Sequence, residues 1–143
     1  MSRSVSQDGL GADHGANPFL LQALGCLEEK LGQLAQAKAW YTQAVQSRPS
    51  HAAAWVALGV LRTRKLGYSV AAGRSCFQAA ERELLAADKP ISAYVYTSWA
   101  NLEYHKAGDR TRARELFQKA LQIDPQCSSA WLQLGVLEAA CGN

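Results

Sequence analysis

The side chains that could do chemistry in this sequence are few and poorly spaced for it. Of the three histidines, His14 lies in a stretch rich in Gly, Ser and Asp, His51 at an expected helix start and His105 near an expected helix end. None has a Ser or Cys at the spacing of a nucleophile and its base. The four cysteines, Cys26, Cys76, Cys127 and Cys141, form no C-x-x-C pair. They read as buried thiols of a reducing compartment, ahead of disulfides or zinc. Glu28 with Glu29, and Glu81 with Glu83, would serve as acid and base only if one of each pair were desolvated; solvated helix faces account for them better. Gly9, Gly11 and Gly15 lack the preceding strand and following helix of a phosphate-binding loop. The expectation is a chain with no catalytic residue, no metal site and no cofactor, whose chemistry is that of binding.

The elements that position a binding surface come from an internal repeat. From Pro90 to Pro125, Tyr96, Trp99, Leu102 and Glu103 recur at helical spacing, and Ala113, Phe117, Ala120 and Leu121 do so again after the break at Gly108-Asp109. This is a helical hairpin in which Gly108 ends the first helix and Asp109 caps the second. Each of the four prolines, Pro18, Pro49, Pro90 and Pro125, is followed six residues on by Leu24, Trp55, Tyr96 or Trp131. Three further on come Leu27, Leu58, Trp99 and Leu134, with Glu28, Gly59, Ala100 and Gly135 beside them. In the second halves Ala37, Gly73 and Ala113 lead by four to Tyr41, Phe77 and Phe117, and then to Ala44, Ala80 and Ala120. One hairpin cannot bury both of its apolar stripes, so copies must stack.

The architecture expected is therefore all-α, an α-α superhelix of about three and a half antiparallel hairpins. Residues 1–16 are a disordered leader, 17–48, 49–88 and 89–124 are the repeats, and 125–141 is a first helix without a second half. Repeat two should carry an extra turn or longer loop over 84–89. The tryptophans Trp40, Trp55, Trp99 and Trp131 are expected in core or inter-repeat packing, with Trp40, which precedes the aligned Tyr41, the first candidate for an exception. The exposed last helix suggests a fragment of a longer array or a face for self-association.

Composition agrees with this reading. With 48% apolar and 19% charged residues among 143, the chain suits one helical domain. It has no apolar run long enough to cross a bilayer, so no membrane role is expected. A net charge of +3 permits a polyanionic partner without requiring one.

The pattern Trp131-x-x-Leu134-Gly135, with Ala, aromatic and Ala in the second helix and a closing Pro, resembles the tetratricopeptide repeat. Repeat three also resembles the half-a-tetratricopeptide (HAT) repeat, through Tyr96, Trp99-Ala100, Leu102-Glu103, Gly108-Asp109, Ala113-Arg114, Phe117 and Ala120-Leu121. Pro125, Trp131, Leu137-Glu138 and Gly142 begin that motif again. In repeats one and two Leu31 and Arg62 stand where Glu103 and Glu138 do, and Lys38 and Arg74 take the Arg114 position. The resemblance implies a scaffold in an RNA-processing assembly, such as those that mature transcripts in plastids or splice in the nucleus; the alternative it leaves open is a general protein-interaction domain, such as an assembly or chaperone adaptor, with no RNA role.

In such arrays the first helices line the concave face, which places there Gln22, Glu29, Val56, Val60, Arg64, Tyr94, Thr97, Asn101, His105, Leu132 and Val136. Only Asn101 and Arg64 approach the Lys/Asn set by which some tetratricopeptide domains grip a terminal carboxylate. Protein or peptide is the leading partner, docking on Val56, Val60, Leu132 and Val136. Single-stranded RNA is the other, with Arg64 on phosphate and Tyr94 stacking on a base. Arg114 is expected to reach Glu103 across its own hairpin.

Overall fold

The local signals of the sequence are realised as helix caps. In the computed structural model, which describes residues 17–140, Asn17 caps α1 (Pro18–Lys30) through a 2.8 Å bond from the Phe19 amide to its side chain, with Pro18 in the first turn. Gly32 turns the chain with φ of 79° into α2 (Leu34–Ser47). The second hairpin joins α3 (Ala52–Val60) to α4 (Val70–Ala86), which Ser69 caps. The third joins α5 (Ala93–Leu102) to α6 (Arg110–Ile123); Gly108, at φ of 71°, ends the first half and the Asp109 side chain accepts from the Arg112 amide at 2.9 Å. α7 (Ser128–Ala140) follows. The expected leader over 1–16, and Cys141, Gly142 and Asn143, lie outside the described residues.

Within each hairpin the helices pack on one another, and α2, α4 and α6 also pack on the first helix of the next repeat. The aligned aromatics Tyr41, Phe77 and Phe117 are all fully buried, as are Ala44, Ala80 and Ala120. Burying each ring contributes about 2–3 kcal/mol. Trp99 joins repeats two and three, lying parallel to Phe77 at 6.0 Å and to Tyr96 at 6.5 Å. α4 runs 17 residues against 14 for α2 and α6; the added residues of repeat two are thus partly an extra helical turn.

Several expectations are corrected. Repeat one is shifted by three: Gly25, not Glu28, lies against Tyr41, Leu21 is fully buried, and Leu27 is 52% exposed. The cause is the role of the proline. Pro18 is itself the first helical residue, whereas Pro49, Pro90 and Pro125 each precede their helix by three residues. Leu21, Leu24, Gly25 and Glu28 are the true counterparts of Trp55, Leu58, Gly59 and Arg62, so Glu28, and not Leu31, stands where Glu103 does. Trp131 is 57% exposed rather than packed, its indole donating to the Pro125 carbonyl at 2.9 Å as Trp55 donates to that of Pro49 at 2.7 Å. Cys26 is exposed, while Cys76 is buried and its thiol pushed up by desolvation.

The first helices of repeats two and three do not end as ordinary α-helix. Each closes in a π turn, over Leu61–Lys65 and Glu103–Ala107. The cause is visible in spacing: the small residue of the first helix and that of the second are 12 apart in repeat one (Gly25 to Ala37), 14 in repeat two (Gly59 to Gly73) and 13 in repeat three (Ala100 to Ala113). Widening the last turn takes up an added residue without losing the ladder.

Candidate interaction groove

The two π turns flank a groove of about 520 Å³ between repeats two and three. α3 and its π turn supply Val60, Thr63 and Arg64; α5 and its π turn supply Tyr94, Ser98, Asn101, Leu102, His105 and Lys106. Phe77 reaches it from α4 and Gln133 from α7. Tyr94, Ser98, Asn101 and His105 are spaced by four, three and four residues, so they form one stripe down α5.

Of the eleven residues expected on the concave face, Val60, Arg64, Tyr94, Asn101 and His105 are brought together here. The others are placed differently. Val56 is fully buried in the core with Phe77 and Tyr96. Thr97 is buried, its hydroxyl donating to the Tyr94 carbonyl at 3.1 Å, because the groove stripe passes through Ser98 instead. Gln22 Oε1 lies 2.8 Å from His51 Nε2, and Glu29 accepts from the Tyr41 hydroxyl and pairs with Lys65 at 3.1 Å; both are committed to the seam between repeats one and two. Burial and the hydrogen bonds to Glu29 and Cys26 hold the Tyr41 phenol protonated, well above the usual tyrosine range. Leu132 and Val136 are exposed on α7, 65% and 47%, while the neighbouring Gln133 faces the groove. Thr63, Ser98, Lys106 and Gln133 were not foreseen; the π turns rotate Thr63 and Lys106 to this side, and the stripe spacing would have found Ser98.

The groove has a definite electrostatic character. Arg64 and Lys106 are exposed, and neither has an ion-pair partner among the described residues. No Asp or Glu lines it. Asn101 and Gln133 add amide groups, and Tyr94 presents a ring 58% exposed. No described hydrogen bond couples Ser98 to His105, and no described group of three or more His, Cys, Asp or Glu is placed to hold a metal ion. No described helix is long and apolar enough to cross a membrane. The arrangement suits reversible binding of an extended anionic or polar ligand.

The ion pairs that fix the groove walls run between repeats. Glu103, 1% exposed, does not pair with Arg114; it accepts two 2.7 Å bonds from Arg74 of the preceding repeat and one of 3.1 Å from Trp99 Nε1. Arg114 instead clasps Glu138 of α7 at 2.7 and 3.1 Å. The expected intra-repeat pair fails because the residue after the small position of a second helix faces forward, toward the next first helix. Between repeats one and two the clasp is missing, since Arg62 occupies the acid's place. Lys38 there bonds the Tyr68 hydroxyl at 3.0 Å, and Arg62 bonds the Ala72 carbonyl at 3.1 Å.

A succession of stacked hairpins, small-aromatic contacts within the complete ones, and a groove walled by first helices define an α-solenoid of short helical repeats. The chain belongs to the tetratricopeptide repeat family: models of that repeat match residues 20–51 and 102–143. Among characterised proteins it is 31% identical to the chloroplastic PsbB mRNA maturation factor Mbb1 of Chlamydomonas reinhardtii, over 87% of this chain, and it spans 24% of that relative's length. Its fold is shared with the first tetratricopeptide domain of Spaghetti (RPAP3) bound to the HSP90 peptide SRMEEVD, with TM-score 0.70 and 16% identity over 88% of this chain and 94% of that one. YrrB, a tetratricopeptide protein with an unusual peptide-binding site, superposes with TM-score 0.65 and 18% identity over 88% of this chain and 61% of that one. As an array of such repeats the chain is a protein-interaction scaffold.

Proposed function

We propose that this chain is a non-catalytic scaffold of a transcript-maturation or transcript-stabilising assembly, and that its groove holds an extended acidic segment of a protein partner. The observation that carries the reading is the groove wall, where Arg64, His105 and Lys106 face a space free of carboxylates. An acidic strand would satisfy Arg64 and Lys106, with Asn101 and Gln133 bonding its backbone and Val60 receiving an apolar side chain. The RNA-processing context rests on the likeness to the chloroplast maturation factor.

Fluorescence anisotropy with a labelled acidic decapeptide tests this. Binding is expected to weaken on raising salt from 50 to 200 mM and by roughly tenfold in Arg64→Ala/Lys106→Ala. Binding that ignores both changes, or none at all, overturns the groove assignment. The exposed Tyr94 ring favours one second reading, direct contact with single-stranded RNA. In that case oligouridine binds in place of the peptide, and Tyr94→Ala weakens it by about tenfold or more.

A further inference from the structure

Two of the three seams between repeats are closed by an arginine and a glutamate, and the first is not. Arg74 donates to Glu103, and Arg114 to Glu138, each at 2.7 Å. At the first seam Lys38 and Arg62 hold those two places, separated by the same 24 residues as Arg114 and Glu138. Two cations thus stand where the other seams have a cation and a carboxylate. Neither has an acidic partner among the described residues. The acids of α1 are engaged elsewhere: Glu29 by Lys65 at 3.1 Å and by the Tyr41 hydroxyl, Glu28 by the Trp40 indole at 3.4 Å.

The partners that the two cations do have are neutral. Lys38 Nζ donates to the Tyr68 hydroxyl at 3.0 Å and lies 5.2 Å from the centre of its ring. Arg62 directs Nη1 to the Ala72 carbonyl and the Cys76 sulfur, at 3.1 and 3.3 Å, while its Nε is buried without a hydrogen-bond partner. Tyr68 joins the two, since its amide donates to the Arg62 carbonyl at 2.8 Å. Its ring is 42% exposed and Lys38 is half-buried, so a solute can reach the seam. A guanidinium nitrogen lacking an acceptor, next to a second charge lacking a counter-ion, complements an oxyanion.

We infer that the seam between repeats one and two binds a phosphate dianion, free or as a terminal monoester, which does there what Glu103 and Glu138 do at the other seams. The charges select a dianion: one guanidinium answers one carboxylate at each of the other seams, whereas two positive charges meet none here. The phosphate accepts from Arg62 and from Lys38 together, the ammonium turning from a neutral hydroxyl to a charged acceptor. Occupation ties repeat one to repeat two. None of Lys38, Arg62 and Tyr68 lines the groove between repeats two and three, so this site is separate from the one proposed for the acidic segment.

The test titrates the whole chain at about pH 8, where phosphate is a dianion, with millimolar inorganic phosphate, glycerol 3-phosphate or acetate. Sodium chloride keeps the ionic strength constant, so screening and general salt exclusion do not contribute. Phosphate is expected to raise Tm by a few degrees to a plateau and to shift the backbone amide resonances of Arg62 and Tyr68, while acetate does neither. Tighter binding of glycerol 3-phosphate identifies a monoester as the ligand, and weaker binding the free ion; the assignment stands in both cases. Lys38→Gln, at a half-buried position that leaves the fold intact, weakens phosphate binding by roughly tenfold. Arg62→Glu restores the acid of the other seams, so it abolishes the phosphate response and raises Tm in phosphate-free buffer. A response that does not saturate, that acetate matches, or that Lys38→Gln leaves unchanged overturns the inference. So does an R62E chain, folded by circular dichroism, that still answers to phosphate.

Discussion

Arg74 and Arg114 hold equivalent places in successive repeats, yet their surroundings give them different worth. Arg74 serves a carboxylate that is 1% exposed, whereas the Arg114 and Glu138 side chains are 30% and 33% exposed. Removing Arg74 leaves a buried charge with only the Trp99 indole, and we predict a cost of about 2–3 kcal/mol for Arg74→Ala, reduced from the dry-interior figure because Arg74 itself reaches water. Arg114→Ala should cost less than about 1 kcal/mol. Urea midpoints at constant m decide between these values. His51 gives a pH dependence. Its ring is buried, edge-on to Phe19 at 4.7 Å and bonded to Gln22, and burial, helped by Arg48 and Lys89, lowers its pKa. A base whose folded pKa lies below its unfolded one binds protons more readily when unfolded. Its contribution is therefore intact above about pH 6.5 and lost as pH falls from there through the folded value. His51→Gln should flatten the fall in Tm between neutral and mildly acidic pH.

At the scale of the element, what the sequence made legible and what it hid have separate causes. The hairpins, the caps at Asn17 and Asp109 and the turn at Gly108 follow from local chemistry and were readable. The register of the first helix was not, because a proline that starts a helix and a proline that precedes one by three residues look alike in a string. Gly25 provides the check. A methyl there would overlap the Tyr41 ring, which is fully buried and anchored through its hydroxyl, so Gly25→Ala should destabilise the chain by about 2 kcal/mol. Gly135→Ala, facing open space among the described residues, should be neutral or stabilising by thermal melt. The groove was half legible for a related reason. Helical periodicity found Tyr94, Asn101 and His105, but the π turns displaced the stripe at its ends, and the only trace of them was the uneven spacing of small residues. The ion pairs were misassigned because spacing fixes which face a side chain occupies, not which neighbour meets it.

At the scale of the molecule, a stack in which each unit touches only its neighbours distributes stability unevenly. α4 and α5 have company on both sides, whereas α7 packs chiefly on α6 among the described helices. Amides of α7 should exchange hydrogen faster than those of α4 and α5, by roughly tenfold or more under native conditions; equal protection would mean that the array opens only as a whole. The forward reach of Arg74 and Arg114 adds a polarity to this picture. Severing the stack between repeats two and three orphans a guanidinium on one piece and a carboxylate on the other, so the units are not interchangeable bricks. A shuffled array would join ends of like sign wherever Arg62 met Arg74 or Arg114, whereas the native order gives each of those two arginines a glutamate.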